Sequence, residues 1–391
     1  MTNLIIGYGT TGKSIQKYLQ KINESYLIYD DNNEVPDVER FSDTKLENVN
    51  TVFVSPGINP NHWILKEAKK LKIKIKTDIE MFSDLNTPKL IGVTGTNGKT
   101  SFVNYLSEIL NKNGYKSITG GNIGVSPLDY VDDINQYDFI ILELSSFQLE
   151  YINSIHLEMA IVTNIFEDHI DWHNSFKSYT LTKLKIFNFV KEYSNNYLGE
   201  TDHRVVIDKN IQFNKVLNKK YNLDNYFDEF VNLMVTVCKK FEIEENEVIN
   251  FLLNQPTMEH RFEKFFETDN TIFINDSKST NFQSVYKATT KVNNALLILH
   301  GLTKGMNPKT LKVSESVKEV LLPTYMDKSL NFKNIKVTNY TYFEELKNLI
   351  HEKSKNYEYV LFSCGGSSFN EFKNYKERGE KFKEIVMDAM K

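Results

Sequence analysis

Gly92-Val93-Thr94-Gly95-Thr96-Asn97-Gly98-Lys99-Thr100 follows the short apolar stretch Lys89-Leu90-Ile91 and precedes a helix-forming run from Ser101 to Asn113. A strand, a glycine-rich turn and a helix start, in that order, make a cradle for phosphate. Glycines let backbone N–H groups close on the anion, the helix N-terminus adds positive potential, and Lys99 supplies a point charge. The hydroxyl of Thr100 is placed to hold a Mg2+ that bridges the terminal phosphates. The strict pattern G-x-x-x-x-G-K-[ST] would need glycine at 93, where this chain has Val93, with Gly92 one place early. A glycine-rich turn with no ligand is the alternative, and it leaves the Lys-Thr pair at the end of the turn unexplained. The stretch points to nucleoside triphosphate chemistry on an α/β scaffold.

On the N-terminal side, Leu4-Ile5-Ile6 reads as a strand running into Gly7, Gly9 and Gly12, then a helix to Lys21. A second strand, Tyr26 to Tyr29, ends on Asp30-Asp31, so an acid stands 18 residues after Gly12, the spacing of a dinucleotide-type βαβ unit. A purely structural turn is the alternative there. A third strand, Thr51 to Val54, runs into Ser55-Pro56-Gly57-Ile58, and Asp84 to Pro88 reads as a linker. Beyond the phosphate turn, the apolar strand Tyr137 to Leu142 ends on Glu143, and Met159 to Val162 runs on toward His169. Ligands of open parallel sheets sit at strand C-termini, so these two strands bring Glu143 and His169 to the edge that carries the phosphate turn. After Pro256, strand signals recur at Thr271 to Ile274, Ala295 to Leu299 and Tyr359 to Phe362, alternating with helical stretches. The expected architecture is α/β with three domains, each built around a mainly parallel sheet: residues 1–86, 87–256 and 257–391.

Composition narrows the function classes. With 47 basic and 51 acidic residues the net charge is −4, and no long basic run offers a nucleic-acid surface. Two cysteines, Cys238 and Cys364, make neither a disulfide framework nor a zinc set, which fits a reducing compartment. The N-terminus shows no basic leader, and no apolar run approaches the roughly 20 residues of a membrane span. A cytoplasmic monomer is the expectation.

Seven strings in order resemble the Mur ligases, the ATP-dependent amino-acid-adding enzymes of peptidoglycan synthesis. They are Gly7-Tyr8-Gly9-Thr10-Thr11-Gly12, Ser55-Pro56-Gly57-Ile58, Thr94 to Thr100, Gly121-Asn122-Ile123-Gly124, Glu143 to Glu150, His260-Arg261-Phe262-Glu263 and Asn275 to Asn281. The phosphate turn of that family reads T-G-T-N-G-K-T, so Val93 fits it. The string Ser368 to Tyr375 is similar to the branch that adds D-glutamate to UDP-N-acetylmuramoyl-L-alanine.

The resemblance implies that ATP phosphorylates the substrate carboxylate and that an amine then displaces phosphate. By that likeness Gly95, Thr96, Asn97, Gly98, Lys99 and Thr100 would hold ATP, helped by Asn225, Arg261 and Asp276. Lys99, Glu143, His169 and Lys183 would be catalytic, and Thr100, Glu143, His169 and a carbamylated Lys183 would serve two Mg2+. Thr10, Thr11, Asp30, Gly57, Asn122, Ser145 and Gln148 would bind the UDP-linked substrate, with His169 also facing its muramoyl-alanine part. Lys278, Thr280, Lys304, Ser368, Phe369 and Tyr375 would grip D-glutamate, a diacid that needs cations.

Some readings stay open. His169 and His173 have i, i+4 spacing, but no third nitrogen or sulfur ligand stands near for zinc. Lys183 could equally be a solvated lysine in a lysine-rich chain. Two departures stand out: Asp31 occupies a position where the family often has threonine, and Asp228 stands where a second asparagine would reach adenine. An NAD-dependent dehydrogenase, a folylpolyglutamate-type ligase and a non-catalytic nucleotide-binding scaffold are the competing functions.

Overall fold

The computed structural model describes residues 2–31, 41, 46–85, 88–221, 223, 226–256, 258–326, 330, 332 and 334–391. Contacts divide the chain into two compact units, residues 1–165 with 180–253 and residues 166–179 with 254–391. The first unit holds two sheets and the second holds one. All three are mainly parallel, so the α/β reading holds.

The first sheet comprises β1 (Thr2–Ile6), β2 (Tyr26–Tyr29), β3 (Val49–Val54) and β4 (Lys74–Lys76) in the order β2-β1-β3-β4, all parallel. Helix Thr10–Lys21 leaves directly from the glycine turn. A Cβ at Gly12 would fall 2.0 Å from the carbonyl oxygen of Gly7. Only glycine lets the helix pack that close to the turn.

The second sheet comprises β5 (Lys89–Thr94), β6 (Ser117–Gly121), β7 (Phe139–Glu143), β8 (Met159–Ile165) and β9 (Asn196–Thr201), in the order β6-β7-β5-β8-β9 and again parallel. Every residue of β7 is buried, which explains its unbroken apolar run. The phosphate turn opens helix Lys99–Lys112, which starts two residues ahead of the expected Ser101 because Gly98 caps it. The two sheets of this unit are pinned together by polar bonds: Ser126 Oγ donates to Asp78, and the backbone N–H groups of Asn153 and Ser154 donate to Glu80.

The second unit carries β10 (Glu263–Glu267), β11 (Ile272–Asp276), β12 (Ala295–His300), β13 (Val317–Pro323), β14 (Lys336–Tyr340) and β15 (Tyr359–Gly365). Their order is β10-β11-β15-β12-β13-β14, with β10 alone antiparallel. Apolar layers cover both faces of the sheet, one around Phe273, Phe362 and Phe382, the other around Ile274, Leu297 and Val320. Among the described residues, no helix is long and apolar enough to cross a membrane. Residues 86 and 87, in the expected linker, lie outside the described residues.

Candidate active site

In the first unit two lysines predicted to be catalytic, Lys99 and Lys183, meet at one carbonyl of the phosphate turn. Gly95 sits at φ +148°, and a Cβ there would lie 1.9 Å from Thr163 Oγ1. The turn is fastened to the end of β8: Thr96 N donates to Asn164 O at 2.9 Å and Asn97 N to Asn164 Oδ1 at 2.9 Å. In return, Thr163 Oγ1 and Asn164 Nδ2 donate to Asn97 O at 2.7 and 3.0 Å. Lys99 Nζ folds back to Gly95 O (2.9 Å) and Thr96 O (3.1 Å). Lys183 Nζ, almost fully buried, reaches the same Gly95 O at 2.8 Å and Thr94 Oγ1 at 3.4 Å. The solvated-lysine reading of Lys183 is therefore set aside by its burial.

A carboxylate stands beside this cationic pair. Glu143, at the end of β7 and 2% exposed, accepts from Thr100 Oγ1 at 2.8 Å and from Asn122 Nδ2 at 2.9 Å. Asn122 is itself placed by its backbone N–H, which donates to Glu143 O. Lys99, Thr100, Asn122, Glu143 and Lys183 thus form one cluster from four separate stretches of chain. Thr100 and Glu143 offer oxygen donors of the kind a hard divalent cation takes. Ser145 and Gln148 bond to each other in a capping box at the start of helix Ser146–Tyr151. That bonding gives both a structural task.

Thr10 and Thr11 open the first helix, and Asp30 Oδ2 accepts from Tyr8 N at 2.5 Å. Gly57 lies in the turn after β3, with no atom within 4 Å of a would-be Cβ. These residues share the C-terminal edge of the first sheet.

In the second unit, His169 sits in the left-handed region at φ +52° and its Nε2 lies 3.6 Å from Asp168 Oδ2. Asp168 also forms an ion pair with Lys304. Burial alone would push the Asp168 carboxyl up, but the charges of Lys304 and His169 outweigh it and hold it below its ordinary value. The backbone joins in, because Ile170 N and Asp171 N donate to Lys304 O. Lys304 and His169 are therefore linked through Asp168, a residue that sequence reasoning did not single out.

The remaining predicted residues lie on strand-end loops of the third sheet. Asp276, buried at the end of β11, accepts from Ser279 Oγ (2.5 Å), Ser363 Oγ (2.7 Å) and Phe262 N (3.1 Å). Burial lifts its pKa to about 6 against the pull of those donors. Arg261 is displayed between His260 (φ +62°) and Phe262 (φ +48°), and its charge acts on Asp276. Lys278 Nζ stands 3.9 Å from the centre of the Tyr375 ring. Thr280 follows in the same loop, Ser368 is buried and Phe369 is 75% exposed. Asn225 lies outside the described residues; Asp228 takes the first position of helix Asp228–Cys238 and accepts from Tyr221 N at 2.8 Å.

One further residue escaped the sequence reading. The fully buried Arg378 donates to Ser277 Oγ, Ser277 O, His300 O and Gly366 O at 2.7–3.1 Å. Those acceptors stand at the ends of β11, β12 and β15, so one guanidinium fixes the loops that carry Lys278, Lys304 and Ser368. The only signal in the sequence was an arginine inside a helix, which ordinarily means a solvated one.

Residues 93–299 match the model of the Mur ligase middle domain. The UDP-N-acetylmuramoylalanine--D-glutamate ligase of Francisella philomiragia is 30% identical over 98% of this chain and 96% of its own. The enzyme of the same name from Thermotoga maritima is 29% identical, covering 97% of each. Among solved structures, the MurF ligase of Thermotoga maritima in complex with ADP superposes with a TM-score of 0.56 at 13% identity, over 100% of this chain and 95% of that one. A pseudomurein peptide ligase type C from Methanothermus fervidus gives 0.56 at 15% identity, over 98% of this chain and 100% of that one. These two establish a shared fold.

Proposed function

The chain belongs to the Mur ligase family of ATP-dependent amide-forming ligases, and from that premise we propose that it adds D-glutamate to UDP-N-acetylmuramoyl-L-alanine in the cytoplasm. The relatives that carry this activity in their names match it from end to end. The geometric observation that supports the reading most is the meeting of Lys99, Lys183, Thr100, Asn122 and Glu143 around the phosphate turn.

The chemistry needs such a cluster. A substrate carboxylate must attack the γ-phosphorus of ATP, and both partners are anions, so their repulsion has to be cancelled. The carboxylate oxygen bonds to phosphorus as the bond to the β,γ-bridging oxygen breaks, giving an acyl phosphate and ADP. The amine of D-glutamate, freed of its extra proton, then adds to the acyl carbon, and phosphate leaves from the tetrahedral intermediate. Lys99 would swing from the carbonyls of Gly95 and Thr96 to the β- and γ-phosphates. Backbone N–H groups at the helix start, residues 98–100, would line the phosphate path.

Thr100 and Glu143 would hold Mg2+, and Lys183, once carbamylated, would add oxygen ligands near it. The metal would supply neutralisation of charge on the phosphates and on the acyl phosphate. In the third sheet, Lys278 and Lys304 would receive the two carboxylates of D-glutamate, while Arg261 and Asp276 would meet the nucleotide. Asn225 is proposed at the adenine.

The deciding experiment supplies purified protein with ATP, Mg2+ and UDP-N-acetylmuramoyl-L-alanine, and measures phosphate release as amino acids are added singly. Release that depends on D-glutamate supports the proposal. Release with a different amino acid reassigns the substrate, and no release with any of them defeats the ligase reading.

A further inference from the structure

Lys183 stands at Gly95 O with the chain on either side of it tied to a second helix. It is the last residue but one of helix Phe176–Leu184, which runs straight into the 3-10 turn Lys185–Phe189. One residue before it, Thr182 Oγ1 donates to Glu150 Oε2 at 3.1 Å. Two residues after it, Lys185 Nζ donates to Leu149 O at 3.0 Å and to Glu150 O at 3.3 Å. Leu149 and Glu150 both belong to the last turn of helix Ser146–Tyr151. Carbonyls there lack partners within the helix, and the dipole favours a cation beside them. Lys185 thus has a defined seat. The helix that supplies it opens at its cap Ser145, two residues after Glu143.

Close packing does not hold this stretch. An open cavity of about 530 Å³ is lined in part by Leu149, Glu150, Thr182, Leu184, Lys185 and Phe187, and Leu181 beside it is 54% exposed. Atoms that face a void have no partners across it, so contact forces do not fix them from that side. The three polar bonds carry the placement instead.

We propose that Thr182 and Lys185 are positioning residues that aim Lys183. By clasping the helix that follows Glu143, they set the Lys183 nitrogen against the phosphate turn and the Glu143 carboxylate. Neither touches substrate. The proposal rests on the reading that Lys183 acts as its carbamate, formed when its neutral amine nitrogen bonds to the carbon of CO2 and loses a proton. A displaced Lys183 would form that carbamate less readily and would present it poorly to the reacting groups.

Three variants separate the contributions. Lys185→Met removes the ammonium and keeps the apolar stem, Lys185→Arg restores a donor, and Thr182→Val deletes the other bond at nearly constant shape. Phosphate release with ATP, UDP-N-acetylmuramoyl-L-alanine and D-glutamate is measured over a series of bicarbonate concentrations. Carbamate occupancy is read by NMR with isotope-labelled bicarbonate, with Lys183→Ala as the blank. Lys185→Met should lower kcat about tenfold with each KM within about threefold of wild type, and should need about tenfold more bicarbonate for half-maximal carbamate. Thr182→Val should lower kcat about threefold, and Lys185→Arg should return to within about threefold of wild type. Wild-type kcat and carbamate in both Lys185→Met and Thr182→Val overturn the proposal and leave the ligase reading standing. A fall in kcat with unchanged carbamate and a lowered urea midpoint overturns it too, since that is general loosening. Wild-type protein that turns over without a carbamate signal removes the positioning role together with its premise. Wild-type protein with neither turnover nor carbamate defeats the ligase reading as well.

Discussion

Asp78 pairs a structural duty with an energetic cost. One of its oxygens accepts from Ser126 Oγ at 2.8 Å, and the whole side chain is buried. Burial pushes its pKa up to about 6, against the smaller opposing effect of Ser126. The folded chain therefore holds a proton between about pH 4 and 6 that the unfolded chain has released, so stability falls as pH rises through that window. Above pH 6 the whole cost of a buried charge remains, at most about 3 kcal/mol for a shift of about two pH units. Asp78→Asn keeps an acceptor for Ser126 and removes the charge. Urea unfolding at pH 8 should show the variant more stable by about 1–3 kcal/mol, with the two proteins converging near pH 4. Equal midpoints at pH 8 would mean that Asp78 is not buried as an ion. The Thr77-Asp78 junction carried no such information in the sequence, because burial of a polar residue is decided by what packs over it.

Among the elements, edge strands show how polar pairing substitutes for burial. β14 reads Lys-Val-Thr-Asn-Tyr and is largely open to solvent, so its hydrophobic pattern is faint. What fixes it is Glu319 of β13, 1% exposed, which accepts from Thr338 Oγ1 at 2.6 Å and pairs with Lys336 at 3.2 Å. Tyr357 and Lys353 complete the set at 2.7 and 3.0 Å. Burial would raise the Glu319 pKa, but these donors outweigh it and lower it to about 2. Its stabilising effect is thus present above the unfolded value of about 4.3 and lost as pH falls toward 2. Glu319→Gln should cost about 1–3 kcal/mol at pH 7 and nearly nothing at pH 2, read from urea midpoints. A pH-independent difference would assign the loss to packing. Strands covered on both faces, such as β7, β8, β12 and β15, were legible as apolar runs, each to within a few residues. The short or polar ones, β4, β6, β9, β10 and β14, were passed over, since their reading depends on a partner strand distant in sequence, and so was the buried β13, whose apolar run is broken by Lys318 and Glu319. The loops obey the same rule. Lys99, Glu143 and Lys278 announce themselves by motif, whereas Arg378 is recognised only once three loops meet on it. Arg378→Lys removes the forked donors but keeps the charge. It should raise the KM for the amino acid about tenfold while the KM for ATP moves less than threefold, if the loops it holds form that site. Equal changes in both constants would indicate general loosening.

For the molecule as a whole, the α/β fold followed from strand–turn–helix repeats, but the assignment of segments to bodies did not. Residues 166–179 follow β8 directly in sequence, yet they pack with the second unit, where Asp168 pairs with Lys304 and Asn307 N donates to Glu167. No periodicity could have revealed that, because the contact spans well over a hundred positions. The proposed chemistry is distributed in the same way. The candidate UDP-binding residues stand on the first sheet and the phosphate turn on the second, each braced by its own hydrogen bonds. Binding and turnover should therefore separate on substitution. Lys99→Ala deletes the cation that would meet the β- and γ-phosphates while leaving the first sheet untouched. Phosphate release should fall by about 10³-fold or more, in line with the loss of a charge aimed at the transferring group. Calorimetric affinity for UDP should stay within about twofold of wild type, since no contact of the first sheet changes. A large fall in UDP affinity would show that the two sites are energetically coupled. Retained turnover would remove Lys99, and with it the phosphate turn, from the chemistry.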